Sequence, residues 1–201
     1  MKKYKFLSIA LTVFMTAATH ADDLFKNTEF GIELIKPTNW EYVSHTEILD
    51  SEKNTRLADK DLKKRMIQIS RAPLVAMVSH QAVDKSDATF KIQVLPLDDL
   101  KDKDLRIFLR QLSEKMKQSY KDFVLIQQPA NSILSGLKSV DMIGSFSFQT
   151  EDGRSFPVLS HMWLVPRGGL FFMIAASADK SDEKTIQIAL PKIISSIKIT
   201  P

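Results

Sequence analysis

The sequence is poor in the residues on which many known sites depend. Among its 201 residues there is no cysteine, and glycine occurs only six times. Without cysteine the chain can form no disulfide, no thiolate zinc site and no acylated lipoprotein anchor. It also lacks the Gly-rich phosphate loop, the dinucleotide fingerprint and the Gly-x-Ser-x-Gly elbow of serine hydrolases. Stability therefore has to come from the packed core, and these site classes have no support in the sequence.

Histidine is scarce as well. Beyond the N-terminal segment the histidines are His45, His80 and His161, far apart in the chain. None has a His-x-x-x-His or His-Glu-x-x-His spacing, and a zinc site needs three or four ligands. The sequence therefore predicts no metal site. Period-two alternation places His161 on one strand face with Leu159, Trp163 and Val165. We expect a partly buried histidine with one hydrogen bond, the alternative being a polar contact at the mouth of an apolar pocket.

Nucleophilic catalysis requires a serine or cysteine placed beside a base. Ser160 and His161 are neighbours, but adjacent residues of a strand point to opposite faces and cannot form a relay with each other. The sequence leaves open a secreted hydrolase whose site assembles from distant residues. In that case His161 would act with a serine or carboxylate that the sequence does not identify.

Segment 98–104 holds the densest cluster of acidic residues: Asp98, Asp99, Asp102 and Asp104. An EF-type calcium loop ends in a glutamate at its twelfth position, whereas counting from the first two aspartates reaches Leu109 and Arg110. The cluster instead precedes a helical pattern, where carboxylates favour the positive end of the helix dipole.

Segment 167–169, Arg-Gly-Gly, has anion-binding potential, but a hairpin turn needs glycine there anyway. No catalytic, cofactor-binding or metal-binding residue is predicted.

Residues 1–21 have the three-part pattern of a secretory signal peptide. Lysines at positions 2, 3 and 5 precede an apolar stretch over 6–15, and small residues lead to Ala21. The stretch is about ten residues long, half of what a membrane-spanning helix needs. We expect cleavage after Ala21 and export of a soluble bacterial protein to the periplasm or onward to the medium. The alternative is an uncleaved anchor.

The positive net charge belongs largely to this leader. Removing its three lysines from the 28 basic residues leaves 25, against 24 acidic residues. A nucleic-acid-binding protein needs an excess of clustered basic charge, so this class of partner is not expected.

Residues 22–201 are predicted to form one domain, because a chain of about 180 residues buries roughly 70% of its unfolded surface. Alternation over 30–35, a Pro-Thr-Asn turn at 37–39 and a strand pattern over 40–43 predict an N-terminal hairpin. Segment 47–65 is rich in charges of both signs and is interpreted as a solvated loop or exposed helix.

Further strands are predicted at 66–69, 74–78 and 90–94, followed by a meander over 140–149, 156–165 and 170–176. The last of these runs is apolar without a break, which is typical of a central strand covered on both faces. Such covering requires helices on each side of the sheet.

Two helices are predicted. The first carries an apolar stripe over 105–120, with Asp102 and Asp104 at its start. The second follows Ser181 as the N-cap and carries an apolar stripe over 186–197, where Pro191 predicts a kink or two consecutive helices.

The sequence FGIELIKPTNW at 30–40 resembles the opening of PsbP-like domains, which begin with an apolar strand, a proline turn and a tryptophan. The mid-chain helix, the meander and the Ile-Ser-Ser-Ile sequence at 194–197 are also similar to that family. The resemblance implies an α+β fold, an α/β/α sandwich with a central, mostly antiparallel sheet covered by helices on both faces. It also implies an accessory or binding role. The matched Pro37 and Trp40 look structural, so no functional residue is carried over.

The leader, the layout and the missing catalytic motifs together predict an exported, soluble, non-enzymatic binding or accessory protein. Its partner is another protein or a small ligand that the sequence does not identify, and no cofactor is expected. A secreted factor that acts on a host or neighbouring cell is a further hypothesis, since both roles begin with the same export step.

Overall fold

The computed structural model describes residues 23–44, 46–47, 73–80, 85–97, 104–150 and 153–200. These residues form ten strands and two α-helices. The strands are β1 (Asp23–Asn27), β2 (Ile32–Lys36), β3 (Glu41–Tyr42), β4 (Val75–Ser79), β5 (Ala88–Pro96), β6 (Lys121–Leu134), β7 (Leu137–Gln149), β8 (Ser155–Arg167), β9 (Leu170–Asp179) and β10 (Lys198–Ile199). The helices are α1 (Leu105–Ser119) and α2 (Leu190–Ser196).

Seven strands form the larger sheet in the order β3-β4-β5-β9-β8-β7-β6. All of its pairings are antiparallel. The two apolar runs that predicted buried strands, 156–165 and 170–176, form β8 and β9, and each of these strands is paired on both sides. The predicted α+β class with a mostly antiparallel sheet is therefore confirmed.

A second sheet has three strands in the order β1-β2-β10. The predicted N-terminal hairpin is wrong, because β2 pairs with β1 and β10, whereas β3 pairs with β4 in the larger sheet. The amide of Trp40 does donate to the carbonyl of Pro37, so the turn exists. It carries the chain from one sheet to the other instead of reversing it within one sheet.

The turn between β1 and β2 is fastened to the larger sheet by Arg167. The Arg167 guanidinium donates a hydrogen bond of 2.7 Å to the carbonyl of Phe30. It lies against Gly31, whose φ of +54° is in the left-handed region, and a Cβ there would come within 3.0 Å of the guanidinium. Arg167 is thus a structural link between the sheets, and segment 167–169 forms the turn from β8 to β9.

Helix α1 occupies the predicted stretch and starts where the acidic cluster predicted. Asp104 is its N-cap and accepts from the amide of Arg106. Hydrogen bonds from the Arg106 side chain and amide lower the pKa of Asp104 to about 2. Asp98, Asp99 and Asp102 lie outside the described residues.

The helical segment that leads into α2 begins at residues 183–184, one residue later than predicted and with a different cap. Asp182, not Ser181, caps it, since the Asp182 carboxylate accepts from the amide of Thr185. Ser181 instead donates to Asp179. A single π-helical turn over Thr185–Ala189 leads into α2 directly before Pro191. Because proline has no N–H to donate, this change of helix type is the interruption that the sequence predicted.

Buried apolar residues form two clusters. The first joins β2, β4, β5 and β10 to Ile193 of α2 and to Trp40. The second joins α1 to β7. The residues of β8 alternate between them: Trp163 and Val165 belong to the first cluster and Leu164 to the second. Both faces of the larger sheet therefore contribute to packed cores.

Several predictions fall on residues outside the described ranges. They are the leader at 1–21, His45, most of the charged segment at 47–65 and the strand at 66–69.

Candidate functional site

An open groove runs between α1 and β6, with a volume of about 330 Å³. Its lining comes from one stripe of the helix and one stretch of the strand: Arg110, Ser113, Glu114, Lys117, Phe123, Val124, Leu125 and Gln128. The sequence analysis did not predict β6. Its only signal was the apolar run at 123–126 directly after the helix, which Pro129 and an irregular alternation obscure.

The helix wall of the groove follows from residue spacing. Arg110, Glu114 and Lys117 are four and three residues apart, so they share one face of α1. The buried Leu109 and Met116 each precede one of these residues by one position, about 100° around the helix, and belong to the second core cluster. Seven residues of α-helix rise by about 10 Å, which sets the distance along the wall from Arg110 to Lys117.

The three charges of this wall are only weakly engaged within the described chain: Arg110 acts on the Asp104 carboxylate, whose pKa it helps Arg106 to lower, without forming an ion pair with it. Arg110, Glu114 and Lys117 form no ion pair and no side-chain hydrogen bond within the residues that the structure describes. In a helix, a glutamate that follows its basic partner by four residues is in the weaker orientation for pairing. The wall therefore presents the charge order positive, negative, positive to the groove.

The floor of the groove is apolar and depends on a glycine. Phe123 and Leu125 of β6 pack against the second core cluster. Leu125 stands opposite Gly144 of β7, and a Cβ at Gly144 would lie 3.0 Å from the ring of Phe123. The phenyl ring thus occupies the space beside Gly144 that a side chain would take.

Apolar side chains are exposed in and beside the groove. The lining residue Val124 is 59% exposed. Ile126, two residues further along β6, is 53% exposed, and Ile107, one helical turn before Arg110, is 51% exposed. The β6–β7 register shifts between Leu125 and Gln127, so Ile126 is the extra residue of a bulge and is left unpaired by β7. Large exposed hydrophobics next to unpaired charges are typical of an interaction surface.

A second polar cluster surrounds His161. The His161 ring bonds to the Asp141 carboxylate over 2.6 Å, and Gln127 donates to the same oxygen over 3.1 Å. The ring stacks on Trp163 with 3.6 Å between centroids. The His161 side chain is 30% exposed and that of Asp141 10%. A partly buried histidine with one hydrogen bond is thus what the strand pattern predicted, although the pattern did not identify Asp141 as its partner.

This cluster holds an acid and an imidazole but no nucleophile. No serine hydroxyl bonds to His161 among the described residues, and the neighbouring Ser160 points to the opposite face, where it accepts from Ser177. The relay that a distant-residue hydrolase needs is not assembled in this part of the chain. Burial lowers the pKa of His161, and the hydrogen bond to Asp141 opposes this effect only in part.

The lowered pKa of His161 predicts how stability depends on pH. Between pH 6.5 and the folded-state pKa the unfolded histidine binds a proton and the folded one does not, so stability falls on acidification. Urea unfolding at pH 7.5 and 5.5 should therefore show a larger loss for the natural chain than for His161→Gln, which keeps a donor for Asp141. An equal loss, or a larger one in the variant, would contradict the buried neutral imidazole.

The remaining histidine of the described chain is on the surface. His80 lies 3.0 Å from Asp87 and 3.9 Å from Glu41. Within the described ranges no three histidine or carboxylate side chains converge as metal ligands do. Nor is any helix of those ranges long and apolar enough to cross a bilayer.

No family model and no curated protein matches the sequence. Among solved structures, LpqN, described as involved in cell envelope biogenesis of Mycobacterium tuberculosis, is 20% identical. The match covers 85% of this chain and 83% of LpqN with a TM-score of 0.50. The cyanobacterial PsbP of Synechocystis is 14% identical over 92% of this chain and 96% of its own, with a TM-score of 0.49. The Ran-binding protein Mog1p of Saccharomyces cerevisiae is 9% identical over 90% and 96%, with a TM-score of 0.47.

At these identities a structural match concerns the fold alone. LpqN is one of the PsbP-fold structures, and its match extends over most of both chains. The resemblance that the sequence at 30–40 and 194–197 predicted is therefore confirmed as a likeness of fold, and the chain has a PsbP-like fold.

Proposed function

We propose that this chain is an exported accessory protein that acts by binding another protein, and that the groove between α1 and β6 is its binding surface. The observation that carries the proposal is the row of Arg110, Glu114 and Lys117, which form no ion pair within the described residues, above an apolar floor. Charges without an ion-pair partner in the described part of the chain are available to a binding partner, and the exposed apolar side chains beside them gain free energy when they are covered.

The composition of the groove supports binding over catalysis. Its lining contains one carboxylate, Glu114, and no histidine. The lining serine, Ser113, donates its hydroxyl to the carbonyl of Arg110 and not to a base, so the lining residues form no nucleophile–base pair. Positive side chains around an apolar floor instead suit recognition of an acidic segment.

The proposal includes the expected processing and layout. Residues 1–21 would be removed on export, leaving 22–201 as one α/β/α domain in the periplasm or the medium. LpqN, whose fold this chain shares, is described as involved in cell envelope biogenesis, which supports an envelope location here. The sandwich arrangement is supported by the core clusters, because α1 belongs to one and α2 to the other.

Site-specific photo-crosslinking in the source cells tests this proposal. A benzophenone side chain at Ile126, which directly follows the lining residue Leu125, is expected to capture a discrete protein partner. The same probe at Ile188, which is exposed on the π-turn before α2, is the matched control and should capture none. The crosslink should be lost in the double variant Arg110→Glu and Lys117→Glu. In the crosslinked product, the copy of this protein that carries the probe should lack residues 1–21.

Two outcomes would overturn the proposed function. One is equal or stronger capture at Ile188, which would place the binding surface elsewhere. The other is a crosslink formed only in the cytosol, by copies of this protein that still carry residues 1–21.

A further inference from the structure

We propose that the groove receives an extended acidic segment of the partner, which adds to β6 as a short extra strand. The segment carries an acidic residue, an apolar residue and a second acidic residue at alternating positions. This inference rests on the proposed function and names the class of ligand that the same groove would take.

The edge of the sheet provides the backbone contacts. β6 is the last strand of the seven-stranded order, so within the described sheet only one of its sides is paired. No hydrogen bond connects its backbone to a turn or loop of the described chain. A groove between a helix and an unpaired edge strand is the arrangement in which extended peptides bind by strand addition, with alternate side chains entering the groove.

The bulges of β6 restrict what can pair with it. Register shifts lie between Lys121 and Val124, between Leu125 and Gln127, and between Gln127 and Ala130. Pro129 has no N–H to donate. Bulges and proline prevent long, regular pairing between edges, which argues against a second copy of β6 as the occupant. The bulge leaves the backbone N–H and C=O of Ile126 unpaired by β7, next to the lining residue Leu125, where a short segment can reach them.

The charges on α1 specify the sequence of the segment. Arg110 and Lys117 lie about 10 Å apart along the helix, and residues i and i+4 of a strand lie roughly 13 Å apart. Their long, flexible side chains can cover this difference. Two acidic side chains at i and i+4 would therefore face these two cations. Between them, Glu114 repels a third acid, and the apolar floor of Phe123 and Leu125 favours an apolar side chain at i+2.

Fluorescence anisotropy with two labelled peptides tests the inference on the full chain. The acidic probe has the sequence Ser-Glu-Thr-Val-Thr-Glu-Ser, and its control replaces both glutamates by lysine. The acidic peptide is expected to bind at least tenfold more tightly, and its affinity should fall between about 50 and 500 mM salt. In the double variant Arg110→Glu and Lys117→Glu the charge preference should reverse. Because the variant must then bind the lysine peptide, this result cannot arise from a failure to fold.

A third probe separates strand addition from side-chain recognition. N-methylation of alternate backbone amides in the acidic peptide removes donors without changing its charge, and it should weaken binding at least tenfold. Amide hydrogen exchange should slow at Ile126 and its neighbours in β6 when the unmodified peptide is bound.

The inference fails if the charge preference does not reverse or if N-methylation has no effect. It also fails if dodecanoate binds in the groove and neither peptide does, since the site would then take a small amphiphile. In each case the photo-crosslink from Ile126 to a protein partner could still be observed. Failure of the peptide experiments would therefore reject strand addition without rejecting the proposed function.

Discussion

Replacing Ile174 by alanine is expected to lower the free energy of unfolding by about 2–5 kcal/mol. Ile174 lies in the central strand β9, is 0% exposed, and stands between Ile92 of β5 and Trp163 of β8. Neighbours in two strands hold the cavity open, so the lost contacts add to the lost transfer free energy. Urea unfolding followed by circular dichroism measures the effect.

The matched control uses the same substitution at the sheet edge. Ile126→Ala removes the same atoms from a side chain that is 53% exposed, and it should change stability by less than about 0.5 kcal/mol. Similar losses in the two variants would contradict the placement of β9 inside the sheet and β6 at its edge.

Gly31→Ala is expected to destabilise the chain by about 2.5–5 kcal/mol. A side chain at the left-handed φ of +54° costs about 1–2 kcal/mol in itself. The new Cβ would also displace the Arg167 guanidinium from its hydrogen bond to the Phe30 carbonyl, and a bond of this charged kind contributes about 1.5–3 kcal/mol. The measurement is again the free energy of unfolding in urea.

Gly136 separates these two contributions. Its φ is +76°, but nothing lies within 4 Å of a Cβ built there, so Gly136→Ala should show the backbone strain alone. In an Arg167→Ala background the cost of Gly31→Ala should fall to that of Gly136→Ala. If the cost is unchanged in that background, Arg167 does not link the β1–β2 turn to the larger sheet.

The parts of the fold that could be predicted are those whose periodicity is set by two well-defined faces. Helix α1 has a buried stripe opposite a charged one, and β7, β8 and β9 alternate or run apolar according to their burial. In each case the apolar pattern of the segment agrees with its burial in the tertiary structure, so the secondary structure could be predicted from the pattern.

The groove could not be predicted because its strand breaks the rules of alternation. β6 has three register shifts and a proline, and it exposes Val124 and Ile126 where a buried strand would cover them. The bond between His161 and Asp141 was equally hidden, since the two residues are twenty positions apart and meet only through the β7–β8 register. The hairpin error has a related cause: a turn specifies that the chain changes direction, but not which sheet receives the next strand.

The three-stranded sheet has a consequence for the order in which the molecule can be completed. Glu33 of β2 pairs with Lys26 of β1, a few residues away, and with Lys198 of β10, near the other end of the chain. Lys26 lies seven positions before Glu33, whereas Lys198 lies 165 positions after it. Closing the longer loop costs more conformational entropy, so we expect the β2–β10 pairing to form after the β1–β2 pairing and to complete the small sheet late in folding.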